Sequence, residues 1–167
     1  MRQLVLGCGH NKTKSLIPNQ VWDDVVTIDI DKTCNPTYCC NLNCLPYPFK
    51  DNEFDEIHAY EVLEHLGRQG NYLSFFELFN ELWRIMKPDA KMFISTPNYK
   101  GMWAWSDPGH RRVISDGTLV FLDQEEYKRQ IGKTSMTDYR ECYHGDFKSE
   151  MIQYNEDSMI AILRCKK

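Results

Sequence analysis

The sequence predicts a doubly wound α/β fold: a mainly parallel, seven-stranded (or slightly reduced) sheet ending in a C-terminal antiparallel hairpin. Three observations carry that expectation. Short β-branched or apolar runs alternate with helical periodicity, which is the pattern of a parallel sheet covered on both faces. The length of 167 residues, 42% of them apolar and 26% charged, suits one folded domain over residues 1–167. No internal repeat or low-complexity linker divides the chain.

Leu4-Val5-Leu6 reads as a buried opening strand that ends at Gly7. The polar stretch from Gly9 to Pro18 leaves room for no more than a short helix. Val25-Val26-Thr27-Ile28 is β-branched throughout and reads as a second buried strand, ending at Asp29. Residues 38–42 form a short third strand, and Leu45-Pro46-Tyr47-Pro48-Phe49 a stiff connection. Phe54 to Tyr60 is a fourth, more polar strand. Tyr72, Phe75, Phe76, Phe79, Leu82, Trp83 and Met86 recur at spacings of three and four, the mark of an amphipathic helix. Pro88 and Asp89 stop it, and Met92-Phe93-Ile94-Ser95 follows as the fifth strand.

Residues 98–114 read as a long loop, and Asp116 to Ile131 as one further helix burying Leu119, Leu122, Tyr127 and Ile131. Residues 138–144 and 158–165 complete the sheet as an antiparallel pair with a long connection.

The net charge of −4 offers no general attraction to nucleic acid or to an anionic membrane. A DNA acceptor is further disfavoured by the lack of an N-P-P-Y-type motif and of a dense basic stripe. No apolar run approaches the roughly 20 residues that cross a bilayer. Met1-Arg2-Gln3 leads at once into Leu4, which leaves no room for a signal peptide, so a cytoplasmic location is expected. Cys34, Cys39, Cys40 and Cys44 crowd together as C-x4-C-C-x3-C. That spacing differs from the separated C-x2-4-C pairs of structural zinc sites. Reduced cysteines used as small apolar side chains are the expectation, with no metal and no disulfide.

Open α/β sheets bind ligands beyond the carboxyl ends of their strands. Three segments reach that edge: Gly7-Cys8-Gly9, Asp29, and Tyr60 to His65. The glycines let the backbone turn and approach a ligand closely. An acidic side chain at Asp29 can accept two hydrogen bonds from ribose hydroxyls. A dinucleotide fingerprint needs a third glycine where Lys12 stands, and no phosphate-binding loop is present. NAD, FAD and ATP therefore fit less well than a cofactor with ribose and adenine but no phosphate.

These residues bring a family into view. Leu4-Val5-Leu6-Gly7-Cys8-Gly9, Thr27-Ile28-Asp29-Ile30-Asp31, Leu45 to Ile57, Tyr60-Glu61-Val62-Leu63-Glu64-His65-Leu66 and Leu82 to Ala90 resemble class I S-adenosylmethionine-dependent methyltransferases, type 11 in particular. The likeness is close over residues 4–97 and loose beyond. It implies a Rossmann-like methyltransferase fold and S-adenosyl-L-methionine as cofactor. By the resemblance, Gly7, Cys8 and Gly9 pass under the methionine and ribose portion, and Asp29 holds the ribose hydroxyls. Ile30 flanks the adenine, Asn41 and Leu42 sit at its edge, and Tyr60 and Glu61 line the methionine end. Two features depart from the family pattern: Asn11 replaces its third glycine, and the segment from Gly9 to Val25 is short for its first helix.

The Asp107-Pro108-Gly109-His110-Arg111-Arg112 stretch is similar to a family segment near the substrate. Trp103 and Trp105 can cover an apolar or planar group. Arg111 or Arg112 can hold a carboxylate or phosphate. His110 is the first candidate for removing an acceptor proton and His65 the second. His58, inside a strand, reads as structural.

The implied activity is methyl transfer to a small molecule, a sugar or an acidic metabolite. A protein acceptor or a completing partner chain stays open. Two alternatives stand beside it: a non-catalytic cofactor-binding or partner protein that kept the fold, and an S-adenosylmethionine-using enzyme of another reaction type.

Overall fold

The computed structural model describes residues 1–167. The five parallel strands are β1 (Arg2–Leu6), β2 (Asp24–Asp29), β3 (Tyr38–Cys39), β4 (Phe54–Tyr60) and β5 (Met86–Pro97); β6 (Phe147–Tyr154) and β7 (Ser158–Cys165) complete one seven-stranded sheet. Its order is β3-β2-β1-β4-β5-β7-β6, and β7 runs antiparallel to both neighbours. β1 lies between β2 and β4, with Leu4 opposite Val26 and Ile57. The carboxyl ends of β1, β2 and β4 therefore open at one edge.

The period of two sorts the strands into faces. Leu4, Leu6, Val26, Ile28, Ile57, Ala59, Met92 and Ile94 face the main core. Helix α1 (Tyr72–Ile85) covers that face with Phe75, Phe76, Leu78, Phe79, Leu82 and Ile85. Asn71 caps it, its side chain accepting from the Ser74 N–H at 3.2 Å.

α1 ends at Ile85, and Met86, expected as its last apolar position, opens β5 instead. Pro88 and the left-handed Asp89 (φ 60°) fall inside that strand at a register shift, where Phe54 pairs with Met86 and Glu56 with Lys91. A proline without an N–H is tolerated at such a bulge.

Four expectations are corrected. The single helix over 116–131 is broken into α3 (Asp116–Leu119), a 3-10 turn (Val120–Leu122) and α4 (Gln124–Gln130). Ser115 caps the start of α3 through a capping box with Thr118, and a second cap causes the break: Asp123 accepts from the Glu125 N–H at 2.8 Å and starts a new helix. Residues 138–144 form turns and no strand, because Asn80 of α1 ties their backbone down through Cys142, His144 and Gly145. The partner of β7 is β6, joined by the short turn 155–157, where Asn155 accepts from the Asp157 and Ser158 N–H groups. Residues 98–114 contain the short helix α2 (Trp103–Ser106).

No helix forms between Gly9 and β2. On the second face of the sheet, Cys8, Cys34, Trp22 and Val25 pack around Val5. A polar network lies beside them. Glu56 accepts from the Gln3 and Gln20 amides at 2.7 and 2.9 Å and from His58 at 3.3 Å. The second His58 nitrogen meets the Tyr60 hydroxyl at 2.8 Å, and the ring stacks on Phe93 and meets Trp22. His58 is thus the structural histidine that the sequence suggested. No helix of the chain is long and apolar enough to cross a membrane.

Burial pushes the His58 imidazole down to about 4, against the partial opposition of Glu56. The unfolded chain, with an ordinary value near 6.5, binds a proton that the folded chain refuses between those limits. Stability contributed by neutral His58 is present above pH 6.5 and lost as pH falls toward 4, by up to about 3 kcal/mol. Urea unfolding across that range, on wild type and His58→Gln, isolates the effect. The wild type should lose the larger amount; parallel curves would reject the assignment.

Candidate functional site

A cleft of about 400 Å³ opens beyond the carboxyl ends of β1, β2 and β4, within the usual range of about 300–1,000 Å³ for small-molecule sites. Gly7, Asp29, Ile30, Asn41, Leu42, Glu61, His65 and Arg111 line it, together with Asn43, Val62 and Leu66. Eight residues singled out from the sequence thus meet in one cleft.

Local chemistry explains each placement. Gly7 has φ 58°, and a Cβ on it would lie 2.5 Å from Val62 Cγ2. Gly9 (φ 51°) would meet nothing; its N–H donates to Asp29 Oδ2 at 2.9 Å. The other Asp29 oxygen accepts from the Asp31 N–H at 2.9 Å. The carboxylate is therefore pinned at the strand end, and each oxygen keeps capacity for another donor. Ile30 stands beside it 66% exposed, an apolar side chain facing the cleft. Asn41 closes a small turn by accepting from the Asn43 N–H at 2.9 Å, and the Leu42 carbonyl accepts from the Tyr47 hydroxyl at 2.9 Å.

Glu61 has φ 52°, a left-handed conformation that costs a non-glycine residue about 1–3 kcal/mol and recurs at functional sites. Its N–H donates to the Ser95 carbonyl at 2.9 Å, tying the loop after β4 to the end of β5. Asn43 is a lining residue that sequence reasoning missed. It holds the left-handed Gly67 N–H at 2.8 Å, and the Asn41-Leu42-Asn43-Cys44 run around it carries no motif.

Cys8 and Tyr60, also expected here, turn elsewhere. The Cys8 thiol is buried against Cys34 at 3.9 Å, and the Tyr60 hydroxyl faces His58. Cys8, Asp29 and Cys34 come close enough to be considered as metal ligands. Burial holds the Cys34 thiol up at about 11, and the thiol donates to the Asp31 carbonyl at 2.9 Å. The four crowded cysteines do not converge on one point.

At the rim of the cleft, the 3-10 turn Leu63–His65 meets the loop around His110. The His65 and His110 rings lie 4.9 Å apart, edge to face. His65 Nδ1 is 3.0 Å from the Gly109 carbonyl, and His110 Nδ1 is 2.9 Å from the Trp103 carbonyl. A carbonyl can only accept, so both Nδ1 atoms carry protons and both Nε2 atoms are left out of these contacts. Glu64, between them in the fold, is 2% exposed, and neither carboxylate oxygen has a hydrogen-bond partner. Burial, reinforced by the Glu61 carboxylate, pushes the Glu64 carboxyl up to about 8.

The substrate candidates separate. Trp103 and Trp105 stand on α2, 56% and 68% exposed. Arg111 is exposed and lines the cleft. Arg112 turns inward: its guanidinium donates to the carbonyls of Leu66, Arg68 and Asn71 and lies over Phe75 at 4.9 Å. It lines a second cavity, of about 360 Å³, with Tyr72, Phe76 and Phe121.

Comparison with curated proteins finds no match. Among solved structures, the chain is similar to a SAM-dependent methyltransferase from Archaeoglobus fulgidus, with a TM-score of 0.61 and 16% identity over 98% of this chain and 85% of that one. A SAM-dependent methyltransferase from Aquifex aeolicus gives a TM-score of 0.57 and 17% identity over 98% and 81%. The N-methyltransferase NodS from Bradyrhizobium japonicum WM9, in complex with S-adenosyl-l-homocysteine, gives 0.58 and 14% over 99% and 78%. The family profile described as "Methyltransferase domain", type 11, matches residues 4–94. That span is more than half of the chain, and it holds every cleft residue except Arg111; the protein belongs to this family of class I S-adenosylmethionine-dependent methyltransferases.

Proposed function

We propose that the chain transfers the methyl group of S-adenosylmethionine to a small acceptor, a sugar or an acidic metabolite. The observation that carries this reading is the meeting of Gly7, Asp29, Ile30, Asn41, Leu42 and Glu61 with Arg111 in one cleft. Their chemistry fits the cofactor. The closely packed Gly7 leaves backbone where a side chain would block entry. Pinned Asp29 offers acceptors to two ribose hydroxyls, and exposed Ile30 offers an apolar face to adenine.

When bound, the cofactor supplies an electrophilic methyl on a sulfonium. The protein's part is to bind and align the acceptor behind that methyl and to exclude water from the contact. Arg111 supplies a cation for a carboxylate or phosphate on the acceptor. Trp103 and Trp105 supply planar surface beside the loop. His65 and His110 stand at the rim where the acceptor's reacting atom would approach.

Titration calorimetry tests this reading with S-adenosylmethionine, S-adenosylhomocysteine and NAD. Dissociation constants near 10 μM, about 7 kcal/mol, are expected for the first two and no binding for NAD. Asp29→Ala should weaken both by about 2 kcal/mol, roughly thirtyfold, as expected for hydrogen bonds to a charged group. Formation of S-adenosylhomocysteine with anionic sugars and carboxylates then identifies the acceptor class. If neither sulfur compound binds, the reading fails and a partner-protein role replaces it.

A further inference from the structure

We propose that Glu64, His65 and His110 form a site for one divalent first-row transition-metal ion at the rim of the cleft. Each of the three offers a ligand atom within 4.8 Å of those of the other two. Two imidazoles and one carboxylate form a donor set suited to such ions, and three protein ligands leave positions open for water or an acceptor oxygen.

Glu64 gives the site its independent support. Its side chain is almost wholly buried, yet both oxygens lack any hydrogen-bond partner. An unpaired buried carboxylate is strongly unfavourable. Of the charges that act on it, Glu61 carries the same sign, and the opposite charge of Lys14 offsets it only in part. A cation against Glu64 relieves both penalties at once.

The histidines are oriented as ligands are. Each Nδ1 is fixed by a backbone carbonyl, Gly109 for His65 and Trp103 for His110. This outer contact sets the ring and leaves Nε2 to coordinate. Asp107 Oδ2, 3.8 Å from His110 Nε2, adds a further negative charge on the same side. His65 also lines the cleft, so the open positions face the space assigned above to the acceptor. The ion would select acceptors that present an oxygen, and the two rings would act as ligands in place of the proton-removing role expected of them.

The test uses the full chain, stripped of metal with a chelator and titrated with Mn2+, with free ion read by electron paramagnetic resonance. One ion per chain is expected. Loss of outer-sphere partners alone costs about 10–100-fold in affinity, so Glu64→Gln and His65→Ala should each weaken binding at least about tenfold. His65 is exposed, so its truncation leaves the packing intact. Co2+ absorption provides a second reading: visible bands without a thiolate charge-transfer band are expected, and their loss in His65→Ala. No stoichiometric binding, equal binding by the variants, or a thiolate band each overturns the proposal. S-Adenosylhomocysteine titrated into the metal-free chain separates this outcome from failure of the cofactor reading.

Discussion

Gly7→Ala should cost about 2–5 kcal/mol of stability and at least tenfold in cofactor affinity. Two penalties combine. Gly7 has φ 58°, where an L-residue pays about 1–2 kcal/mol. The new Cβ would also lie 2.5 Å from Val62 Cγ2 and 3.0 Å from its Cβ, and overpacking of this kind costs about 1–3 kcal/mol. Val62 is buried, so the clash is relieved by moving the loop after β4 or the end of β1. Either movement shifts a wall of the cleft. Gly9→Ala is the control: its backbone conformation is equally left-handed, but its Cβ meets nothing, so only the backbone term remains. Adding Val62→Ala to Gly7→Ala should recover the part of the steric cost due to Cγ2 and leave the tight Cβ contact and the backbone part, a coupling that a double-mutant cycle in urea reads directly. Equal losses in the two glycine variants would show that contact with Val62 is unimportant.

The part of the cleft built on β1 and β2 is legible because its residues follow short, strongly patterned strands. Leu4-Val5-Leu6 and Val25 to Ile28 can hardly be read otherwise. Once they pair in parallel, Gly7 and Asp29 must share an edge. β6 escaped notice because it is an edge strand whose Lys148, Ser149, Glu150 and Gln153 are exposed; without a second buried face it lacks the apolar run. One helix over 116–131 is expected because the apolar spacing continues through Asp123, whose capping bond overrides it. The rim cluster was illegible for a different reason. Glu64 reads in sequence as one carboxylate beside a histidine, and its burial and missing partners belong to the tertiary fold alone.

Arg112→Met should destabilise the protein by about 3–4 kcal/mol, whereas Arg111→Ala should stay within about 0.5 kcal/mol of wild type. The sequence offers the two arginines as equivalent anion binders. The backbone around them is irregular, with the Arg111 and Arg112 N–H groups both donating to the Glu64 carbonyl at 2.8 and 3.1 Å. From that anchor Arg111 reaches the cleft, and Arg112 is buried. The Arg112 guanidinium has no carboxylate partner in the protein; burial alone lowers its affinity for the proton. It is held by the carbonyls of Leu66, Arg68 and Asn71 and by the Phe75 ring. Charge-assisted hydrogen bonds and a desolvated cation–π contact are each worth about 1–3 kcal/mol, and much of that is offset by desolvation. Methionine fills the volume but takes away the donors: the Leu66 carbonyl loses its partner, while the Arg68 and Asn71 carbonyls keep only the Asn71 N–H and the Ser74 hydroxyl. Arg112→Lys should rescue little, since one ammonium cannot reproduce the planar fork. The three carbonyls belong to the segment that carries His65 toward the cap of α1 at Asn71. Loss of Arg112 should therefore loosen the rim as well, seen as faster amide exchange over residues 66–71. If Arg112→Met melts like wild type while cofactor or acceptor binding collapses, the inward guanidinium serves a ligand in the second cavity and not the fold. Matching stability of the Arg111 and Arg112 variants would remove the distinction between them.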